Sequence, residues 1–433
     1  MENRIKDIRF FVLNILKDGK ITVEEADKII SFINATEELL KSKKIDFPNT
    51  ESLGNFAKEG VSRFEKLVND IGENLEKVAQ NIGTRLNIPT DGQQQTQKVT
   101  EKYSYTETQH INIEENLKKL VLENHWGGVK IIGEERSDIL LNINKIIWTK
   151  NEELANDRSE AFKIKTSQIE DTLKILLPQA NANLRDTVNM EILIPKHLEL
   201  DIATSNGEIL LYDVENPEKD LKLKSTGGNI EVKPVRFKKT FVDTKDGDVS
   251  LKHIDSSINI ETTSGHVEFS GIVNSESKII SNTGNIRGKA GVNQNLELIT
   301  NKGSIDFKQN RTKECDSIQL ITDTGNISYR GVILSKFKVQ TNSGEITGIS
   351  HVTGKGEVEI NSESSDITWK AEDYNNFKFN CISNKGNVFT NIENDSLEKT
   401  PKSLSGKVNT GDANININTV SGDIRLNIAN IGI

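Results

Sequence analysis

The chain has 433 residues, of which 64 are acidic and 55 basic for a formal net charge of −9, with 34% hydrophobic and 5% aromatic residues and a mean hydropathy of −0.49. No run approaches the roughly 18 consecutive apolar residues that span a bilayer, and the stretch Phe10 to Leu13 is too short for an export-signal core; neither a spanning helix nor a cleaved signal is expected. The acidic balance lacks the basic field of non-specific nucleic-acid binding, and the two cysteines, Cys315 and Cys381, fit neither a disulfide framework nor a short-spaced metal site. The length allows two or three domains, expected at 1–36, 37–98 and 99–433.

Residues 1–36 predict a helical hairpin. Ile5, Ile8, Val12, Ile15 and Leu16 follow helical spacing, and Asp18-Gly19-Lys20 breaks the helix. Thr22 and Glu25 then form a capping box that opens a second helix through Ala26, Ile29, Ile30 and Ile33. Within 37–98, Phe56, Gly60, Phe64, Leu67, Ile71, Leu75, Val78, Ile82 and Leu86 repeat every 11 residues, which keeps an apolar stripe nearly straight along one helix. Phe56, Phe64, Leu67, Ile71, Leu75, Val78 and Ile82 are the candidate docking face. From 55 to 86 five cations offset five anions, so the basic polar face of an anionic-lipid binder is absent. Packing on the β domain or a partner helix is one reading of the stripe, and membrane-surface docking is the other. The polar stretch 90–98 after Pro89 reads as a flexible linker.

The remainder reads as strands. Trp126-Gly127-Gly128-Val129 places a Gly two before a Val, 80 residues ahead of Gly207, which equals four periods of about 20. LKILLPQ and MEILIPKHLELDI read as strands, and NEELANDRSEAF, residues 151–162, as a polar insertion. From residue 204 the motif [TS]-x-x-G-x-[IV] recurs with its fourth position at Gly207, Gly228, Gly247, Gly265, Gly284, Gly303, Gly325, Gly344, Ser365, Gly386 and Gly422. The last gap is read as a degenerate unit around Gly411 plus an inserted loop. In each unit the Gly permits positive φ in a tight turn, the hydroxyl satisfies a nearby backbone group, and the following Ile or Val points inward. An apolar residue two before the Thr or Ser, from Ile202 through Cys381 to Ile417, completes a strand alternation.

A unit this small cannot bury its apolar face alone, so the units must stack. The expected fold is mainly β: a β-solenoid, parallel β-helix-like, preceded by the helical hairpin and the long amphipathic helix. An antiparallel meander is the alternative. The C-terminal SGDIRLNIANIGI ends on an apolar alternation, so the last rung is expected to need a cover, from a partner or from the N-terminal helices.

The segment VLNILKDGKITVEEADKII resembles the SHOCT-like helical module that opens the bacterial YvlB/LiaX-like proteins, and EILIPKHLELDIATSNGEI leading into glycine-turn units is similar to their adhesin-like strand-repeat domain. The resemblance spans both ends of the chain in the same order. It implies a Gram-positive cell-envelope stress protein associated with defence against membrane-active antibiotics and peptides, with no enzyme activity and no catalytic motif to carry over.

The six histidines form no ligand spacing and read as surface imidazoles, His266 among them; Cys381 sits in an inward slot, and Cys315 reads as an exposed thiol. No nucleotide-binding or nucleophile-elbow motif stands in context. The slot after each turn Gly holds Glu208, Asn229, Asp248, His266, Asn285, Ser304, Asn326, Glu345, Asp366, Asn387 and Asp423, an expected polar, partly acidic ladder. Solvated turns are its simplest reading, and a cationic-peptide or Ca²⁺ surface the functional one. No catalytic residue, cofactor, metal or nucleic acid is expected. The partners expected are a regulatory protein, a membrane surface or a cationic peptide, with an oligomer possible, and the location is cytoplasmic or peripheral to the membrane or envelope. A non-enzymatic sensor or interaction scaffold is the first reading; an adhesin-like structural scaffold and a polysaccharide-active solenoid are the alternatives.

Overall fold

The computed structural model describes residues 101–429 except 115, 178–184, 311–314, 334, 353, 373–375 and 394–395. The expected hairpin, amphipathic helix and docking stripe lie outside the described residues. The chain divides into Met1–Gln95 and Thr96–Ile433, and the second unit holds all that follows. Among the described residues there are 28 strands and one helix.

Each rung consists of two strands joined by a Gly turn, and equivalent residues pair in register. On the strand before the turn, Ile202, Leu223, Val242, Ile260, Ile279, Leu298, Leu320, Val339 and Ile360 form one unbroken parallel ladder. On the strand after it, Ile209, Ile230, Val249, Val267, Ile286, Ile305, Ile327, Ile346 and Ile367 form the other. All are buried. These rungs are therefore a parallel solenoid and not a meander, with a narrow aliphatic core between two sheets.

The turn is built by a buried hydroxyl. Ser281 Oγ accepts the amide of Gly284 at 2.8 Å and donates to the carbonyl of Gly265 in the preceding rung at 3.0 Å. Ser383 does the same with Gly386 and with Gly422, and Thr419 with Gly422 and with Ser365. One side chain thus satisfies two buried backbone groups in two rungs. The glycines are required for a reason other than the one expected from sequence. Of the ten turn glycines only Gly325 and Gly344 have positive φ. A Cβ on Gly284 would instead lie 1.9 Å from the carbonyl oxygen of Gly265, and one on Gly207 1.8 Å from that of Gly127. Close approach of stacked backbones excludes a side chain.

A second stack lies two residues further along. Phe269, Gly288, Phe307, Tyr329, Gly348 and Trp369 are successive in register. Strands are about 4.8 Å apart, so rings two rungs apart meet only across a residue without a side chain. Phe269 and Phe307 stack at 6.0 Å across Gly288, and Tyr329 and Trp369 at 6.0 Å across Gly348. A Cβ at Gly348 would lie 1.9 Å from the Trp369 ring. The polar ends are satisfied: Trp369 Nε1 donates to Ser350 Oγ at 2.9 Å and Tyr329 OH to Gln309 Oε1 at 2.6 Å.

Spatial order departs from chain order at both ends. Lys119–Asn124 pairs parallel with both Thr172–Leu177 and Glu199–Thr204, and Val129–Glu134 with both Thr187–Pro195 and Ile209–Ser225. The Gly127 rung is therefore the immediate neighbour of the Gly207 rung, one step away in space and not four. At the other end Ala413–Thr419 lies between Glu357–Ser362 and Phe377–Ser383, and Ile424–Ala429 between Ile367–Glu372 and Val388–Thr390. The rung that comes last in sequence is internal, so it is covered by this chain's own strands and not by a partner. Gly411 belongs to no rung; the residues before it supply Ser403–Val408 and Glu398–Lys399, antiparallel over the outermost strand. The first end is covered likewise by Lys165–Ile169, by Asp138–Thr149 and, beyond it, by Glu101–Asn112, all antiparallel.

Residues expected as a polar insertion form helix α1, Glu152–Ala161. Asn151 caps it by accepting the Leu154 amide at 2.9 Å, and Glu152 and Glu153 suit the positive end of its dipole. Little of α1 is apolar, so charged anchors seat it. Arg158 meets the fully buried Asp186 at 3.2 Å, and the buried Lys145 pairs with Glu107 and donates to the Ser159 carbonyl at 2.9 Å. Phe162 follows in the core, edge-on to Trp126 at 5.5 Å.

Two outcomes follow from the stacks. Ser281→Ala leaves a buried amide and carbonyl without partners, a cost of about 1–3 kcal/mol; hydrogen exchange of the Gly284 amide should rise about tenfold or more, while Ser281→Thr leaves it near the parent rate. Gly348→Ala should destabilise the solenoid by about 1–3 kcal/mol in urea unfolding through overpacking, and Trp369→Leu in the same chain should recover most of that loss.

Candidate functional surface

The turn edge carries the residues that sequence singled out as a polar ladder, and their side chains are occupied by the backbone. Asn229 Oδ1 accepts the Asp248 amide at 2.9 Å, Asp248 Oδ1 the His266 amide at 2.7 Å, and His266 Nδ1 the Asn285 amide at 2.9 Å. Asn285 and Ser304 continue to the amides of Ser304 and Asn326, and Asn326 to that of Glu345. Asp366 and Asp423 serve the amides of Asp423 and Asn387 at the far end. The slot favours Asn, Asp, Ser and His because only a short acceptor reaches the next rung's N–H. Glu208, Glu345 and Asn387 make no such bond among those described, and the two glutamates are the freest carboxylates of the edge.

The turn glycines from Gly207 to Gly344 stand directly behind this ladder, each against the preceding rung's glycine; Gly422 stands against Ser365 and Gly386 against Gly422. Ser365, the one departure from glycine, turns its Oγ to accept the Gly344 amide. The set defines the edge and holds the slot residues at rung spacing. The docking stripe Phe56, Phe64, Leu67, Ile71, Leu75, Val78 and Ile82 lies outside the described residues.

The concavities near these residues are open and shallow. One of about 500 Å³ is lined by Asp248, His266, Glu268, Asn285, Arg287 and Asp306, and one of about 440 Å³ on the opposite sheet by Phe241, Asn259, Lys278, Glu297 and Gln319. Among the described residues no three His, Cys, Asp or Glu side chains are placed to hold a metal ion. Of the histidines, His110, His197, His253 and His266 are exposed, while His125 and His351 are half-buried; His125 Nδ1 lies 3.0 Å from Ser205 Oγ.

The cysteines are both interior. Cys381 lies in the core, where burial pushes its thiol up to about 12. Cys315, expected as exposed, opens the strand Cys315–Thr324 and is 7% exposed. Burial, with the charge of Asp316 adding to it, pushes its thiol up to about 11. Neither is poised as a thiolate nucleophile at neutral pH. The strand before Cys315 ends one rung earlier, and the thiol fills the space beside Gln309, a placement that the polar segment RTKECDS does not signal.

No helix among the described residues is long and apolar enough to cross a membrane. No curated protein matches the chain. Among solved structures it is similar to a putative adhesin of Bacteroides fragilis, at 12% identity and a TM-score of 0.30 over 74% of this chain and 97% of that one. It is similar also to a putative lipid binding protein of Parabacteroides distasonis, at 14% identity and a TM-score of 0.29 over 75% and 96%, and to a putative cell adhesion protein of Clostridium sporogenes, at 10% and 0.17 over 75% and 100%. At these scores the likeness carries no argument about what this chain does. Two stretches, residues 117–290 and 289–427, match one family model. The chain belongs to the Toastrack DUF4097 family.

Proposed function

We propose that this protein is a non-enzymatic interaction scaffold of the cell envelope, in which the solenoid supplies a long rigid surface and the N-terminal helical part responds to membrane stress. The observation that carries the scaffold reading is the register: outward side chains on both sheets are held in straight rows by ladders that run unbroken from Ile202 to Ile360 and from Ile209 to Ile367. A surface of that kind offers the same chemistry repeatedly at fixed spacing, which suits extended partners better than small substrates. The stress role rests on the resemblance of the 1–36 module and its order relative to the strand repeats, and on the 56–82 stripe as a face for a membrane or a regulatory partner.

Antiparallel strands over Thr172–Leu177, Thr187–Pro195 and Phe377–Ser383 weigh against an adhesin-like filament growing head to tail, since such growth needs open parallel edges. Turnover of a cell-wall glycan by the purified chain would move the reading to the polysaccharide-active alternative.

Fractionation of cells carrying the tagged protein, before and after a membrane-active cationic peptide, is the direct test. Recovery in the membrane or protease-accessible fraction should rise with the peptide; an unresponsive protein found only in the cytosol would overturn the envelope role. Leu67→Asp with Ile71→Asp should weaken liposome or partner binding at least tenfold and leave the β-sheet circular dichroism unchanged.

A further inference from the structure

The outer face of the second sheet carries a row of cations whose placement packing does not explain. From the Gly228 turn to the Ser365 turn, the outward position three residues after the buried Ile or Val is Lys233, Lys252, Lys289, Lys308, Arg330 and Lys370, interrupted by Ser270 and Ile349. Ser270, Lys289, Lys308, Arg330, Ile349 and Lys370 are direct register partners in sequence. Neighbouring strands lie about 4.8 Å apart, so the row runs about 34 Å along the solenoid, with three like charges adjacent at its centre. Like charges directly opposite one another on paired strands repel. This occurs in a chain whose net charge is −9, where anions are in surplus.

Of the carboxylates nearest the row, only Glu268 reaches a member of it, Lys252, at 4.0 Å; the others are engaged elsewhere. All lie in the parallel row two residues earlier on the same strands. Asp306 meets Arg287 at 3.7 Å, and Glu231 accepts from Tyr212 OH at 3.5 Å. Beyond them that row is Ser328, Thr347 and Thr368. Among the described residues no carboxylate comes within 4.0 Å of Lys289, Lys308, Arg330 or Lys370, and all four are exposed.

We propose that this row binds a linear, base-free phosphate polymer lying along the solenoid axis, which names the partner class of the scaffold reading and rests on it. Lysine ammonium groups and the arginine fork are phosphate ligands, and a ladder of them at strand spacing matches a chain of regularly repeated charges. A flat anionic lipid surface fits less well. It would press the adjacent row, with Glu231, Glu268 and Asp306, against its own headgroups, whereas a single thin chain follows the basic row alone. No aromatic ladder flanks the row to stack bases, which separates it from single-stranded nucleic-acid grooves.

The test uses the full chain and long-chain inorganic polyphosphate, with inorganic phosphate and phosphatidylglycerol vesicles alongside. Lys289→Glu, Lys308→Glu and Arg330→Glu together should weaken polyphosphate binding about 30-fold or more and lower the slope of log K against log salt by about 2. Lys222→Glu, Lys355→Glu and Lys399→Glu, equal in charge but off the row, should cost less than about threefold. Equal losses in the two triple variants, or single phosphate ions competing as well as polymer of the same phosphate content, would overturn the proposal. So would vesicle binding that disappears with the row. Vesicle binding lost only in the Leu67→Asp, Ile71→Asp chain concerns the helical stripe, and polyphosphate binding without peptide-responsive localisation would retain the row while rejecting the stress role. Lys308→Glu alone, lying between Lys289 and Arg330, should raise the melting temperature by about 1–2 °C without polymer; a fall would show that the row is not under repulsion.

Discussion

The structure depends on the contact between one turn and the next. A glycine carbonyl sits where the following rung's Cβ would be, and a buried Ser or Thr hydroxyl joins the two by accepting from one rung and donating to the other. This contact fixes the distance between rungs at the edge, so the Ile and Val ladders fall into register without large residues to fill gaps. It fits the low aromatic content of the chain: a core whose spacing is set by backbone contact can be filled mainly by aliphatic residues facing inward. The slot residues outside the glycines extend the same logic, since Asn, Asp and His side chains cap amides that no strand can pair.

Where aromatic residues do enter, glycine accompanies them. Phe269 with Phe307, and Tyr329 with Trp369, meet because Gly288 and Gly348 remove a side chain between them. At these two places a large residue is balanced by an absent side chain on the neighbouring rung. The end caps follow different rules: parallel pairing gives way to antiparallel strands, and buried charge replaces aliphatic packing at Lys145 and Asp186. Solvent-facing rows are then left as the variable part of the design, free to carry whatever chemistry a partner requires.

Much of this was legible in the sequence, and the exceptions have physical causes. The [TS]-x-x-G-x-[IV] motif names the inward residues of the rungs because spacing of two on either side of a tight turn admits few arrangements. It gives the glycines without the reason for them, since positive φ and stacked backbones select the same residue. It also fails to give the order of rungs: Ile360, Cys381 and Ile417 are equivalent by pattern, and only the structure puts Ile417 between the other two. Helix α1 was hidden because its anchors are the ionic contacts of Arg158 and Lys145 with residues distant in sequence, and not an apolar face. The polar slot could be read as a row, but whether its side chains face a ligand or the next amide is decided by distances of less than one residue length. The basic row keeps a constant offset from the same motif, but Ser270 and Ile349 interrupt it, and the register is what shows Lys289, Lys308 and Arg330 standing side by side.

The inserted rung at the C-terminal end carries a consequence for biosynthesis. Phe377–Ser383 is synthesised before Ala413–Thr419 yet lies outside it, and it presents to Glu357–Ser362 the same alternation as the strand that belongs there. During translation the earlier strand has an available but incorrect edge on which to dock, and it must vacate that edge when the later one arrives. The near-identity that makes the rungs stack so regularly therefore also creates a decoy, and correct assembly at this end requires either delay or exchange of strands.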